Sequence, residues 1–129
     1  MSQAGSLEGK LIILIERHDA SRFFISEFLA RRGARVLSSA SVGEGTRLIQ
    51  QHRPSVVLTE TSLADRKGFD LLREIRAFSS TKVGNFPVIA MLSFGGMIEA
   101  SQAIAAGFQR CLNKPFSPEE LCKTINSVL

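Results

Sequence analysis

The chain has 129 residues, which is the length of one domain, and its 44% hydrophobic and 22% charged residues are an ordinary globular balance. Its longest apolar run, residues 11–15, is far shorter than the roughly 18 residues of a membrane-spanning helix, and its first residues lack the features of a secretory signal. The net charge is +4, but the basic residues are scattered and the chain has no Tyr or Trp. These features predict a mildly basic protein surface that binds neither nucleic acid nor membranes.

Residues 1–8 are polar and small, and they predict a disordered tail or linker before a single domain at 9–129. The two cysteines, Cys111 and Cys122, fall in a predicted strand and a predicted helix with no histidine nearby. We therefore expect reduced core residues in a cytoplasmic protein, without a metal site.

The first half of the domain alternates apolar strands with amphipathic helices. Residues 11–15 form a continuous aliphatic run, which is typical of a parallel strand buried on both faces. Residues 20–32 predict a helix with apolar residues at i, i+4 spacing. A weaker strand is expected at 35–40, followed by a helix that opens with the capping-box sequence of residues 41–44 and ends near His52.

The second half repeats this alternation. Further strands are predicted at 56–60, 88–92 and 110–112, and further helices at 69–78, at 98–106 and from 117 to the C-terminus. Such alternation predicts a parallel sheet with helices on both faces. Functional groups of these sheets gather at the carboxyl ends of the strands, which here follow Ile15, Leu58, Leu92 and Leu112.

These strand ends resemble the receiver domains of bacterial response regulators and hybrid sensor histidine kinases. The resemblance rests on LIILIE-x-HDASR, SVVLTE, FPVIAML and G-F-x-x-C-L-N-K-P-F, and it covers residues 10–129. Its most specific part is the Lys114-Pro115 step, which commonly has a cis peptide bond in that family. The resemblance implies an α/β flavodoxin-like (CheY-like) fold, with a doubly wound five-stranded parallel sheet in the order 2-1-3-4-5 and five flanking helices.

The resemblance also implies a phosphoacceptor pocket. Receivers of this family use two acids after the first strand to hold Mg²⁺, a nucleophilic aspartate after the third, a hydroxyl residue after the fourth, and a lysine. In this chain Glu16 matches the first acid and Lys114 the lysine, but Arg17 replaces the second acid and Glu60 the aspartate. The predicted degenerate phosphoacceptor pocket consists of Glu16, Arg17, Glu60, Leu92, Ser93, Lys114 and Pro115.

Two of these positions concern the missing hydroxyl. Leu92 aligns with the Ser or Thr of the family, and Ser93, one residue later, replaces it only after a local shift. Cys111 stands in place of an aromatic residue that usually responds to phosphorylation. With two carboxylates and two cations, the predicted pocket has a net charge of about zero, which does not suit Mg²⁺. We expect the Arg17 guanidinium to pair with Glu60 or Glu16, and no Mg²⁺ or only weak Mg²⁺ binding.

Several residues near the pocket have simpler interpretations. Asp19 is predicted to cap the first helix, with recruitment as a metal ligand as the alternative, and His18 is predicted to be an exposed loop residue. Residues 65–67 are expected to be solvated. Met97, Ile98, Cys111 and Phe116 are candidates for a partner-binding surface, although periodicity also assigns Ile98 and Phe116 to packing.

Three functions follow from these observations. The first is a signalling module, not an enzyme, that binds a histidine kinase, a phosphotransfer domain, an output domain or a second copy of itself without phosphorylation. In that case Glu60 can also mimic a phosphorylated aspartate and hold the domain in an active-like state. The second is an atypical receiver that is still phosphorylated, with the carboxylate of Glu60 accepting the phosphoryl group. The third is a flavin- or nucleotide-binding enzyme on the same fold, but the turn at 16–21 has no glycine to admit a phosphate.

Overall fold

The computed structural model describes residues 6–61, 72–74, 76–77, 86–92 and 97–129, with the backbone alone at 97–99. The strands are β1 (Leu11–Ile15), β2 (Arg35–Ser39), β3 (Val56–Glu60), β4 (Val88–Leu92) and β5 (Arg110–Asn113). The helices are α1 (Asp19–Arg31), α2 (Val42–Gln51), α3 (Met97–Ala106) and α4 (Pro118–Asn126). Residues 72–74 and 76–77, between β3 and β4, are helical as well.

The five strands form one parallel sheet in the order β2-β1-β3-β4-β5, which confirms the predicted fold and topology. β1 pairs with both β2 and β3, and Leu14 lies opposite Ser38 on one side and Leu58 on the other. The chain order reverses between β1 and β3, so their carboxyl ends lie side by side at the switch point. This junction is the place where the topology favours a functional site.

Side chains of β1 alternate between two cores, as the period of two in a strand requires. Ile13 and Ile15 belong to the core that also contains Val42 and Ile49 of α2 and Ala103 of α3. Ile12 and Leu14 belong to the other core, which contains Ile25 and Leu29 of α1 and Leu121 and Ile125 of α4. The last four residues of β1 are fully buried, each contributing about 1.5–3 kcal/mol by burial.

Helix ends follow the sequence signals at most positions. The Ser117 hydroxyl accepts from the Glu120 N–H while the Glu120 carboxylate accepts from the Ser117 N–H, which completes the capping box. The Ser41 hydroxyl accepts from the Glu44 N–H at the start of α2. Gly33 follows α1 with a φ of 99°, a conformation that favours glycine. No helix among the described residues is long and apolar enough to cross a membrane.

The predicted N-cap at Asp19 is wrong. His18 is the N-cap residue of α1, and its side chain makes no capping hydrogen bond. Asp19 is instead the first helical residue, and its carboxylate pairs with Arg22 at 2.6 Å. An acid in the first turn still interacts favourably with the positive end of the helix dipole. The aspartate therefore indicated that a helix starts here, but not which residue is its N-cap.

The tail predicted at residues 1–8 is too long. Leu7 is fully buried in the core beneath α1 and α4, and its N–H donates to the Arg32 carbonyl at 2.8 Å. The packed domain therefore includes residues before position 9. Residues 1–5, the loop at 65–67 and Ser93 lie outside the described residues.

Candidate functional site

Three charged side chains meet at the carboxyl edge of the sheet. Glu16 follows β1 directly, Glu60 ends β3 and Lys114 follows β5. The register of β1 and β3 places Ile15 opposite Thr59, which makes Glu16 and Glu60 neighbours. The Lys114 N–H donates to the Leu92 carbonyl at 2.9 Å, so the strand pairing extends to the lysine itself.

The lysine ammonium joins the two carboxylates. Nζ of Lys114 lies 2.6 Å from Oε1 of Glu16 and 2.9 Å from Oε1 of Glu60. The side chains of Glu16, Glu60 and Lys114 are 0%, 6% and 22% exposed. We call these three residues the carboxylate–lysine cluster. Charge-assisted hydrogen bonds of this length offset part of the cost of removing the three charges from water.

The second oxygen of each carboxylate accepts from the backbone that leads into α1. Oε2 of Glu60 accepts from the Arg17 N–H at 3.0 Å, and Oε2 of Glu16 accepts from the His18 N–H at 3.0 Å. All four carboxylate oxygens of the cluster therefore have a protein donor. Arg22 also holds this turn, because its guanidinium donates to the Glu16 carbonyl at 2.8 Å.

The predicted pairing of the Arg17 guanidinium with a carboxylate is wrong. Among the described residues, the cation paired with both Glu16 and Glu60 is Lys114, and Arg17 contributes its main-chain N–H. The Arg17 side chain is exposed. The physical reason is local: the first backbone N–H groups of the turn into α1 already face the carboxylates, and Lys114 already supplies the buried positive charge.

The cluster shifts the pKa of each of its members. Burial raises the pKa of Glu16, and the nearby Glu60 carboxyl adds to this rise. Burial acts in the same direction on Glu60, but hydrogen bonds from Glu16, Lys114 and the Arg17 N–H outweigh it and lower the pKa of Glu60. Burial disfavours the charged form of Lys114, yet the two carboxylates outweigh that effect and raise its pKa. Lys114 therefore stays protonated at neutral pH.

The remaining predicted pocket residues flank this cluster. Leu92 is fully buried at the end of β4 and offers no hydroxyl group. The peptide bond between Lys114 and Pro115 is cis, as the resemblance implied. Ser93, the alternative source of a hydroxyl, lies outside the described residues.

The structure does not bring together Cys111 and Phe116, the two members of the predicted partner surface whose side chains it describes. Cys111 is half-buried, packs against the core beneath α2 and α3, and has its Sγ 3.9 Å from the Ala100 carbonyl. Phe116 packs against the core on the opposite face of the sheet. The side chains of Met97 and Ile98 lie outside the described residues.

Sequence reasoning did not identify a cleft above the cluster. The cleft has a volume of about 570 Å³, and its lining includes Phe24 and Phe116 together with Glu60 and Lys114. Phe24 is 75% exposed, although it repeats with Phe28 at i, i+4 spacing in α1. Its neighbour Ile25 is buried. Adjacent helical residues lie about 100° apart, so the apolar spacing alone does not specify which of the two faces the core.

Donor atoms of Glu16, His18 and Glu60 lie within 4.8 Å of one another, a grouping that could hold a metal ion. The same residues do not fit the Mg²⁺ site that the resemblance implies. The Lys114 ammonium already contacts both carboxylates, and a guanidinium at position 17 is not a ligand for Mg²⁺, which prefers octahedral oxygen donors.

Comparison with known proteins gives the same family as the sequence resemblance. Residues 12–126 match the model of the response regulator receiver domain. The chain is 28% identical over 118 residues to the transcriptional regulatory protein AfsQ1 of Streptomyces coelicolor, covering 92% of this chain and 50% of that protein. It is 27% identical to the protein PilH of Pseudomonas aeruginosa, covering 92% and 96%.

The solved structures that resemble the chain include the receiver domain of the sensor histidine kinase PA1611 of Pseudomonas aeruginosa, which has a magnesium ion coordinated in its active site cleft. That domain is 26% identical, with a TM-score of 0.82 and coverage of 93% of this chain and 97% of that one. The chain spans half the length of AfsQ1 and nearly all of PilH. From its topology, its strand-end residues and this family match, the chain belongs to the response regulator receiver domains of two-component systems.

Proposed function

We propose that this receiver domain signals through protein–protein contacts that do not require phosphorylation or Mg²⁺. The observation that carries the proposal is the position of Lys114, whose ammonium contacts both Glu16 and Glu60 within 2.9 Å. In this proposal Lys114 and the neighbouring Arg17 supply the positive charge at this edge of the sheet, where other receivers hold a metal ion beside their lysine. The domain then acts in the cytoplasm as an interaction module and not as an enzyme.

The charge balance supports the absence of Mg²⁺. Glu16 and Glu60 carry two negative charges at most, and Lys114 neutralises one of them. A divalent ion would have to displace the ammonium from both carboxylates and leave it buried beside a second cation, which is electrostatically costly. Arg17, at the position of the missing acid, adds a further positive charge at the rim of the cleft.

The geometry of Glu60 supports the absence of phosphorylation. Both of its carboxylate oxygens already accept hydrogen bonds, one from Lys114 at 2.9 Å and one from the Arg17 N–H at 3.0 Å. A nucleophile must present a lone pair in line with the leaving group, and glutamate places its oxygens one methylene further from the backbone than aspartate does. We expect Glu60 to be a structural member of the cluster.

Receivers of two-component systems interact with histidine kinases and output domains, and we propose a partner of that kind, or a phosphotransfer domain, for this chain. One relative is the histidine kinase P4 of Formosa agariphila, in which the matched region is 9% of the protein. A receiver that is part of a longer kinase would present its surfaces to the other domains of that protein.

Acetyl phosphate tests the proposal directly. The wild-type chain should remain unmodified in the presence of Mg²⁺ when its intact mass is measured, because in this proposal it does not bind Mg²⁺ and position 60 is a glutamate in place of the aspartate. The double variant Arg17→Asp, Glu60→Asp should gain one phosphoryl group. The single variants are the matched controls: Arg17→Asp restores only the second acid, and Glu60→Asp restores only the aspartate. Rapid labelling of the wild type would refute the proposal.

A metal-dependent receiver is the second candidate, and the donor group of Glu16, His18 and Glu60 favours it. If that group binds metal, Mn²⁺ or Mg²⁺ should produce a binding heat in calorimetry that His18→Ala removes. We expect no binding heat from the wild type. A heat that depends on His18 would favour this candidate, and beryllofluoride added with Mg²⁺ would then show whether a phosphoryl analogue binds as well.

A further inference from the structure

Helix α1 presents two adjacent phenyl rings to solvent. Phe23 is 66% exposed and Phe24 is 75% exposed, whereas Ile25 and Leu29 of the same helix are buried in the core. Large aromatic side chains contribute strongly when they are buried in an interface. A contiguous exposed apolar patch on a globular protein commonly marks an interaction site.

An apolar groove lies beside these rings. It has a volume of about 540 Å³ and runs between α1 and α4, where Phe28, Phe116 and Leu121 contribute to its walls. Phe23 and Phe24 line it as well. The same face therefore combines protruding aromatic rings with a cavity that is large enough to receive such rings.

The groove is bordered by two opposite charges. Glu27 and Arg31 both line it, both are exposed, and they lie one turn apart on α1. Neither forms an ion pair with any residue that the structure describes. A surface that carries one acid and one base in this way is complementary to a copy of itself, because a two-fold axis can place Glu27 of one copy near Arg31 of the other.

From these features we infer that two copies of the chain associate as a two-fold symmetric dimer through this groove between α1 and α4, which we call the α1 groove. Two-fold contacts use the same patch on both subunits, so a patch must contain both the projecting group and its receptor. The α1 groove meets this condition with its phenyl rings and its cavity, and with its acid and its base. The predicted anchors are Phe23 and Phe24, since aromatic residues commonly dominate the binding energy of interfaces.

The dimer would also cover the carboxylate–lysine cluster. Phe24, Ile25 and Phe116 line both the α1 groove and the cleft above Glu60. A second copy seated on these residues restricts access to that cleft from solvent. This consequence is independent of whether the wild-type pocket can be phosphorylated.

Sedimentation velocity of the full chain over a range of concentrations tests the inference. The wild type should shift from monomer to dimer as its concentration rises, and Phe24→Ser should raise the dimer dissociation constant by about tenfold or more. Ile104→Ser is the matched control, since Ile104 is 52% exposed on α3, which packs on the other face of the sheet. Circular dichroism melts establish that each variant is folded.

Charge reversal tests the pairing itself. Glu27→Arg and Arg31→Glu should each weaken the dimer, and the double reversal should restore it, because each proposed contact joins position 27 of one copy to position 31 of the other. A wild type that stays monomeric up to about 1 mM would overturn the inference, and the groove would then be a candidate binding site for a different protein. A dimer that is weakened by Ile104→Ser and not by Phe24→Ser would overturn it as well.

Discussion

The backbone N–H of Arg17 donates to Oε2 of Glu60 over 3.0 Å, which ties the residue after β1 to the last residue of β3. Position 17 therefore supports the cluster through its main chain and not through its guanidinium. Any residue with a backbone N–H can make this bond. The side chain at position 17 can therefore be substituted without loss of the fold.

The first prediction concerns this position. Arg17→Ala should change the free energy of unfolding by less than about 0.5 kcal/mol, as expected of an exposed side chain whose backbone contact persists. Arg17→Pro removes the N–H and should be clearly destabilising. Chemical denaturation of both variants checks the expectation. A large loss in Arg17→Ala would show that the guanidinium itself supports the folded state.

The second prediction concerns the buried cation. Lys114→Met leaves Glu16 and Glu60 buried without a counter-charge, and we expect a loss of roughly 3–5 kcal/mol at neutral pH. The triple variant Lys114→Met, Glu16→Gln, Glu60→Gln should recover a substantial part of this loss, because it removes the unpaired charges. Urea denaturation measures both. Equal stability of Lys114→Met and the wild type would contradict the structural role of the ion pairs.

The third prediction follows from the opposite pKa shifts of the two carboxyls. The lowered pKa of Glu60 contributes stability that is present above its ordinary value of 4.5 and is lost as the pH falls through the folded value. The raised pKa of Glu16 acts in the opposite sense: the folded protein takes up this proton first, so stability rises as the pH falls toward 4.5.

Denaturation at a series of pH values separates the two contributions. Glu60→Gln should show a smaller acid-side loss than the wild type, and Glu16→Gln should lack the gain above pH 4.5. If both variants follow the wild-type profile, neither carboxyl has the shift described above.

The fourth prediction concerns the contact between α2 and β1. A Cβ at Gly45 would lie 2.7 Å from Cγ1 of the buried Ile15 and 3.2 Å from Oγ of Ser39. Gly45→Ala should therefore push α2 away from the strand that carries Glu16 and cost about 1–3 kcal/mol. Gly43→Ala is the matched control, since Gly43 is exposed in the same helix and alanine there should raise helix propensity. Thermal denaturation compares the two.

The sequence predicted the sheet well because its signals were local. The apolar runs at β1, β3 and β4 are buried along all or most of their length, and each predicted range agrees with the observed ends. The position of Lys114 followed from the short motif after β5. Helix starts were less certain, as at Asp19, because acids are favourable both at the N-cap and in the first turn.

The candidate site was predicted in composition but not in geometry. The strand ends placed Glu16, Glu60 and Lys114 at one edge, and parallel topology is sufficient for that result. The direction of the Arg17 side chain depends on how the chain turns into α1, which residue type does not specify. The exposure of Phe24 depends on how α1 is rotated about its axis. Phe24 and Phe28 repeat at i, i+4 spacing, and so do Ile25 and Leu29, so the spacing alone does not determine which pair faces the core.

The cation between Glu16 and Glu60 is covalently part of the chain. A chelator or dialysis, which strips a magnesium-dependent receiver of its metal, cannot remove an ammonium that is carried by Lys114. Its local concentration is set by the length of one side chain and by the fold, and not by the ionic composition of the surrounding solution. The positive charge that Lys114 brings to this site therefore changes only when its ammonium loses a proton or when the domain unfolds.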